Sequence, residues 1–127
     1  MRPSNIIYRK RSRTLVLEYG DATSELSAEL LRVYSPSAEV RGHSPEQKRL
    51  QTGKKSVAVT AIEPVGNYGI RLVFDDGHDT GIYAWDYLKD LADHRERYWR
   101  DYLAELKAAN ASRLPVIPVG HFTPGET

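Results

Sequence analysis

The chain opens on two short runs of β-branched and aromatic residues, Ile6-Ile7-Tyr8 and Thr14-Leu15-Val16-Leu17-Glu18-Tyr19. Between them lies the basic turn Arg9-Lys10-Arg11-Ser12-Arg13, and the pattern predicts a β-hairpin. Gly20-Asp21 turns the chain again. Ser27 then offers a capping hydroxyl to Ala28-Glu29-Leu30-Leu31-Arg32-Val33-Tyr34, whose apolar positions predict a short helix. From Ser35 to Lys55 the composition becomes polar, with Pro36, Gly42, Pro45 and Gly53, as in an ordered loop. Within it, Ser44-Pro45-Glu46-Gln47 predicts one or two helical turns reaching Leu50 and stopping at Gly53.

Alternation returns at Val57–Ile62, followed by the turn Val65-Gly66-Asn67-Tyr68-Gly69 and a second strand, Ile70–Phe74. Asp75-Asp76-Gly77-His78-Asp79 turns once more into Thr80-Gly81-Ile82-Tyr83. Beyond it, Trp85, Leu88, Leu91, Ala92, Trp99, Tyr102, Leu103 and Leu106 recur every three or four residues. They predict one helix, or two abutting helices, to about Ala109. Arg113–Thr127, with Pro115, Pro118 and Pro124, predicts an extended or disordered tail behind a single domain over 1–112.

Leu17–Arg32 laid over Phe74–Lys89 without a gap places Gly20 on Gly77, Thr23 on Thr80 and Leu31 on Leu88. Conservative pairs add Leu17 on Phe74, Leu26 on Tyr83, Leu30 on Tyr87 and Arg32 on Lys89. The aligned physics is strand, glycine turn, short strand, helix. Two such units predict an α+β fold, a mostly antiparallel sheet built from hairpins and covered by helices.

Composition removes several chemistries. There is no cysteine, which excludes disulfides, thiolate metal ligands and cysteine nucleophiles. Eighteen basic residues against seventeen acidic give a net charge of +1, so no global field draws nucleic acid or an anionic membrane. No segment approaches the roughly 20 apolar residues of a membrane span, and no apolar run marks a signal peptide, so a cytoplasmic protein is expected.

His78, among Asp75, Asp76 and Asp79, is the foremost candidate for chemistry: the carboxylates could raise its pKa or hold a cation with it. Aspartate and glycine are also what a tight turn selects, and the spacing does not match a calcium loop. His43, His94 and His121 are scattered, with no pair placed to ligate from one helical face. His94-Arg95-Glu96-Arg97 reads as a solvated helix face. Ser35-Pro36-Ser37 could bind an anion through its amides, supported by Arg41 and Gly42-His43, or could simply stop and cap a helix. Thr52-Gly53-Lys54-Lys55-Ser56 runs into a strand and lacks the leading glycine of a phosphate loop. The Arg9–Arg13 turn is the one local feature suited to nucleic acid, a partner the balanced charge disfavours.

Leu31-Arg32, Ser35-Pro36-Ser37-Ala38-Glu39-Val40, Ile62-Glu63-Pro64-Val65-Gly66-Asn67-Tyr68, Phe74–Tyr83 and Trp85-Asp86-Tyr87-Leu88 together resemble the family named for the N-terminal domain of gamma-butyrobetaine hydroxylase. The resemblance runs from about Leu15 to Leu91 and is nearest to stand-alone bacterial members, which are domains of unknown function. It implies a small module that in the hydroxylases carries zinc on three cysteines and a histidine. Carried onto this chain, those positions fall on Ser35, Ser37, Val40 and His78, and only the histidine is retained. The oxygenase domain with its iron and 2-oxoglutarate chemistry is absent from this sequence. Related modules fused to iron–sulfur ATPases imply work beside such machinery.

The expectation is therefore a non-catalytic interaction module with a protein partner and no cofactor, an adaptor in metal-cofactor or iron–sulfur assembly. Its contact surface would combine Ser35, Ser37, Arg41 and His43 with Asp75, Asp76 and Asp79. The alternative is a zinc- or iron-binding domain, or a metal-dependent enzyme component, in which His78 acts with Asp76 or Asp79; iron would further need a second histidine.

Overall fold

The structure, a computed structural model, describes residues 1–115. Strands β1 (Asn5–Arg9), β2 (Thr14–Tyr19) and β3 (Ala22–Ser27) form one antiparallel meander, and β4 (Val59–Val65), β5 (Gly69–Phe74) and β6 (Ile82–Ala84) form another. Helix α1 (Ala28–Val33) follows the first sheet, and α3 (Trp85–Asp93) follows the second. Between the two units lie the four-residue helix α2 (Ala38–Arg41) and a 3-10 turn at Pro45–Gln47; α4 (Arg95–Ala108) follows α3. The expected α+β architecture is present, with the hairpins divided between two three-stranded sheets.

The internal repeat is a real feature of this fold. Each sheet is a three-stranded meander ending directly in a helix, and the helices begin at Ala28 and Trp85, which the ungapped alignment superimposes. Ser27 caps α1, its Oγ accepting from the Leu30 amide at 3.0 Å, while Ala84 at the matching position offers no side-chain cap. The pairing registers differ. Leu15 faces Leu26 in the first unit, whereas Tyr83 faces Ile70 rather than Leu72 in the second, a slip of two residues. Because side chains alternate with a period of two, such a slip keeps Tyr83 on the core face. It also replaces the tight Gly20-Asp21 turn with the longer Asp75–Gly81 connection, closed by a bond from the Phe74 amide to the His78 carbonyl at 2.9 Å.

The inner faces of both sheets meet in one cluster: Leu15, Leu17 and Leu26 from the first, Val59, Ile70, Leu72, Phe74 and Tyr83 from the second, with Leu31, Leu88 and Leu91 from the helices. Each fully buried leucine here contributes on the order of 2 kcal/mol of transfer free energy. Pro64 sits in β4, an edge strand, where a missing amide costs no ladder bond.

Two polar contacts tie the units across this core. The Tyr83 hydroxyl donates to the Leu31 carbonyl at 2.5 Å, and the Tyr8 hydroxyl accepts from the Val59 amide at 3.0 Å. The start of the proline-rich segment is also anchored: Arg113 makes a two-pronged contact with Glu29, at 2.8 and 2.7 Å, and its carbonyl accepts from the Lys55 amide. Residues 116–127, with His121, Pro118 and Pro124, lie outside the described residues.

Tyr83→Phe removes one buried donor without changing shape, and is expected to cost about 1–2 kcal/mol. Urea denaturation reads this as a lower midpoint at unchanged slope; an unchanged midpoint would mean that the Leu31 bond does not couple the two units.

Candidate functional site

Pro36 ends the helical run, and the chain turns back across the Asp75–Gly81 connection of the second sheet. Ser37 becomes the N-cap of α2, its Oγ accepting from the Glu39 amide at 3.2 Å. The turn brings Ser35 and His78 together, 43 residues apart in sequence, with Ser35 Oγ 2.7 Å from His78 Nε2. Beside them, Ser37 Oγ and Thr80 Oγ1 are 2.6 Å apart. Gly81 makes the approach feasible, since a Cβ there would overlap Ser35 Oγ.

The hydrogen-bond pattern assigns the His78 tautomer. Nδ1 lies 3.3 Å from the Glu39 carboxylate, so the proton belongs on Nδ1 and Nε2 accepts from the Ser35 hydroxyl. Ser35 Oγ in turn accepts from the Ser37 amide at 3.3 Å. His78 is 6% exposed and Ser35 is fully buried. Burial, aided by the nearby Arg32 charge, pushes the imidazole pKa below its ordinary value, against the opposite pull of Glu39 and Asp76. The ring is therefore neutral at pH 7, and the expectation that neighbouring aspartates raise its pKa is corrected.

Those aspartates turn away from the ring. Asp75 accepts from the Ala58 amide at 3.1 Å. Asp79 is exposed and faces Arg71 at 3.6 Å. Asp76 accepts from Arg32 Nε at 2.9 Å, Lys54 Nζ at 2.6 Å and the His78 amide at 3.1 Å. Arg32, itself buried, also donates to Gln51 at 3.0 Å. Burial alone would raise the Asp76 carboxyl, but the Lys54, His78-amide and Arg32 contacts outweigh it and hold the pKa at about 2. Gly77, at φ +93°, supplies the left-handed turn residue that lets the Asp76 side chain reach back to the His78 amide.

The other singled-out residues separate by environment. Val40 is buried. Arg41 is exposed with its guanidinium 4.7 Å from the centre of the Tyr87 ring, and His43 is exposed, its amide donating to Gln47 Oε1 at 2.7 Å. The amides that an anion at Ser35-Pro36-Ser37 would need are already engaged, the Ser35 amide donating to the Arg32 carbonyl and the Ser37 amide to Ser35 Oγ, while Pro36 has none. In the basic hairpin, Arg9 faces Glu25 at 3.5 Å. Glu39, Thr80, Gly81, Arg32 and Lys54, none of them expected from the sequence to meet His78, complete the constellation.

The order hydroxyl, imidazole, carboxylate in Ser35–His78–Glu39 matches that of serine hydrolases, but a nucleophile must be reachable by its substrate. Ser35 Oγ is closed in by Gly81, Tyr83 and the Ser37 amide, so the arrangement is a clamp between two segments. Nor do the side chains at the four family positions fit zinc. Val40 has no donor atom, serine hydroxyls are poor ligands, and both His78 nitrogens are engaged in hydrogen bonds. Among the described residues no group of three or more histidine, aspartate or glutamate side chains could hold a metal ion, and no helix is long and apolar enough to cross a membrane.

The family model described as gamma-butyrobetaine hydroxylase-like, N-terminal, matches residues 6–89. The chain belongs to this family. Two protein structures solved by NMR in solution are each 50% identical to it. One covers 93% of this chain and 94% of its own with a TM-score of 0.79, the other 91% and 87% with a TM-score of 0.77. A crystal structure from Acidithiobacillus ferrooxidans ATCC 23270, of a protein with unknown function in the DUF971 family, is 38% identical over 72% of this chain and 92% of its own, with a TM-score of 0.60. No curated protein matches the chain. The gamma-butyrobetaine hydroxylase-like match ends at Lys89, so α4 and Arg113, which anchors to Glu29 inside the match, lie beyond it.

Asp76 generates a prediction with a defined sign. Its folded pKa lies below its unfolded one, so its stabilisation is whole above roughly pH 4 and is lost as pH falls through about 2. Discounted for partial solvent screening, that is about 1–2 kcal/mol. Asp76→Asn should lower stability by about this much at pH 7, with the gap from wild type closing between pH 5 and pH 2 in urea titrations; a constant gap across that range would refute the assignment.

Proposed function

We propose that this chain is a small non-catalytic interaction module whose partner is a protein, working in the cytoplasm as an adaptor beside metal-cofactor or iron–sulfur assembly. The observation that carries the reading is the clamp itself. Ser35–His78 and Ser37–Thr80 fasten α2 onto the Asp75–Gly81 connection, so that two distant segments form one rigid surface. Its polar interior is consumed by internal hydrogen bonds, and what faces outward is polar and mostly charged: Glu39, Arg41, Asp75 and Asp79, with His43 beside them. Exposed charges held on a fixed frame favour recognition, because electrostatic complementarity selects partners and speeds encounter.

A buried hydroxyl without substrate access and a neutral, fully bonded imidazole offer no nucleophile or acid–base group to a substrate, which weighs against the enzyme alternative. The assembly role rests on the family resemblance alone.

A photo-crosslinking amino acid placed at Glu39, Arg41 or Asp79, and at Thr60 and Glu63 as a control face, tests the reading in cells of the source organism. One discrete adduct from the first three positions and none from the controls is expected. No adduct from any of the three, or the same adducts from both faces, would refute it.

A further inference from the structure

Behind the clamp, the segment from Pro36 to Lys48 arches over α1 and α3 and leaves a cavity of about 200 Å³. Its walls are apolar: the rings of Tyr34 and Tyr87, Val40 and Pro45. Both phenol groups are occupied elsewhere, the Tyr34 hydroxyl donating to the Tyr98 carbonyl at 2.7 Å and the Tyr87 hydroxyl to the Tyr34 carbonyl at 2.6 Å. At the rim stand two cations. Arg41 lies against the Tyr87 ring and forms no ion pair among the described residues. Lys48 Nζ lies 5.9 Å from the Tyr34 ring centre and shares its charge with Glu105 at 2.9 Å.

The larger groove of about 360 Å³ beside Leu26, Leu30 and Trp99 lacks this asymmetry, since Glu25 and Glu96 line it together with Arg95. A third groove, at Leu103, Leu106 and Ala111, carries Lys55 and Lys107 but no aromatic ring, whereas the smaller cavity sets an unpaired guanidinium against a ring of its own wall. A guanidinium stacked on an aromatic ring keeps its planar fork of donors directed outward, the geometry that receives a carboxylate on two N–H bonds. At roughly 30 Å³ per water, the volume equals about seven water molecules, which suits a single ring or branched alkyl group.

We propose that this cavity binds a small organic carboxylate, its apolar body between Tyr34, Val40 and Tyr87 and its carboxylate on Arg41, with Lys48 adding charge. The site does not depend on the docking surface proposed above. The same chemistry could be presented by a free carboxylate or by the C-terminal residue of a peptide.

Amide NMR titration of the full chain with benzoate, with benzyl alcohol as the uncharged control, is the test. Saturable shifts centred on Tyr34, Val40, Arg41 and Tyr87, absent with benzyl alcohol, are expected, with Arg41→Gln weakening binding about tenfold. Lys48→Gln should weaken it less, and the spectra report whether either variant folds. A short peptide ending in a free leucine carboxylate, compared with its amide, separates the two sources. Tighter saturation by the acid peptide than by benzoate assigns the chain end, and the reverse assigns the free acid. Failure to saturate, an equal response to benzyl alcohol, or unchanged affinity in a folded Arg41→Gln variant would overturn the proposal.

Discussion

The imidazole of His78 sits where two segments that share no secondary structure must meet, and both of its nitrogens are bonded there. The Ser35 hydroxyl donates to Nε2, and the N–H at Nδ1 faces the Glu39 carboxylate 3.3 Å away. Without these partners a polar ring would be buried unpaired, at a cost of about 1–3 kcal/mol per group. The placement of α2, the shape of the cavity behind it and the outward display of charged side chains all follow from that closure. A second layer of charge holds the connection from behind, where Asp76 joins α1 through Arg32 and the long loop through Lys54.

The duplicated architecture explains why such a connection exists in one unit and not the other. Both meanders present alternating apolar residues to a common core, and both lead directly into a helix. The two-residue slip between β5 and β6 leaves core burial intact while providing a longer connection, and that extra backbone carries His78 and Gly81 to the loop after α1. Packing thus tolerates the irregularity on which the candidate site is built.

Local chemistry made much of this legible in the sequence. Period-two runs mark β2 and β5, the Ser27 hydroxyl marks the start of α1, and Gly20 and Gly77 mark turns, so the repeat and the α+β class follow from side-chain pattern alone. Other features had no local signal. Helix α2 spans four residues, too few for a helical period to register. The division of the C-terminal helix at His94 has no glycine or proline to announce it; there the Asp90 side chain receives bonds from both His94 and Tyr98. Charge proximity, which a sequence displays, points His78 to its adjacent aspartates. The structure pairs it instead with Glu39 and Ser35, since contacts between segments some forty residues apart depend on tertiary packing. Arg32, which locks Asp76, sits in the last turn of α1, where nothing local in the sequence marks it for that role.

If hydroxyl–imidazole bonds and apolar packing close this site, the domain should not need a metal ion to stay folded. Thermal melting of protein purified without a histidine tag, with and without a strong chelator and alongside elemental analysis of the same sample, measures this directly. The account predicts superimposable melting curves and metal far below one ion per chain. A stoichiometric ion, or a melting temperature that falls when the chelator is added, would contradict it.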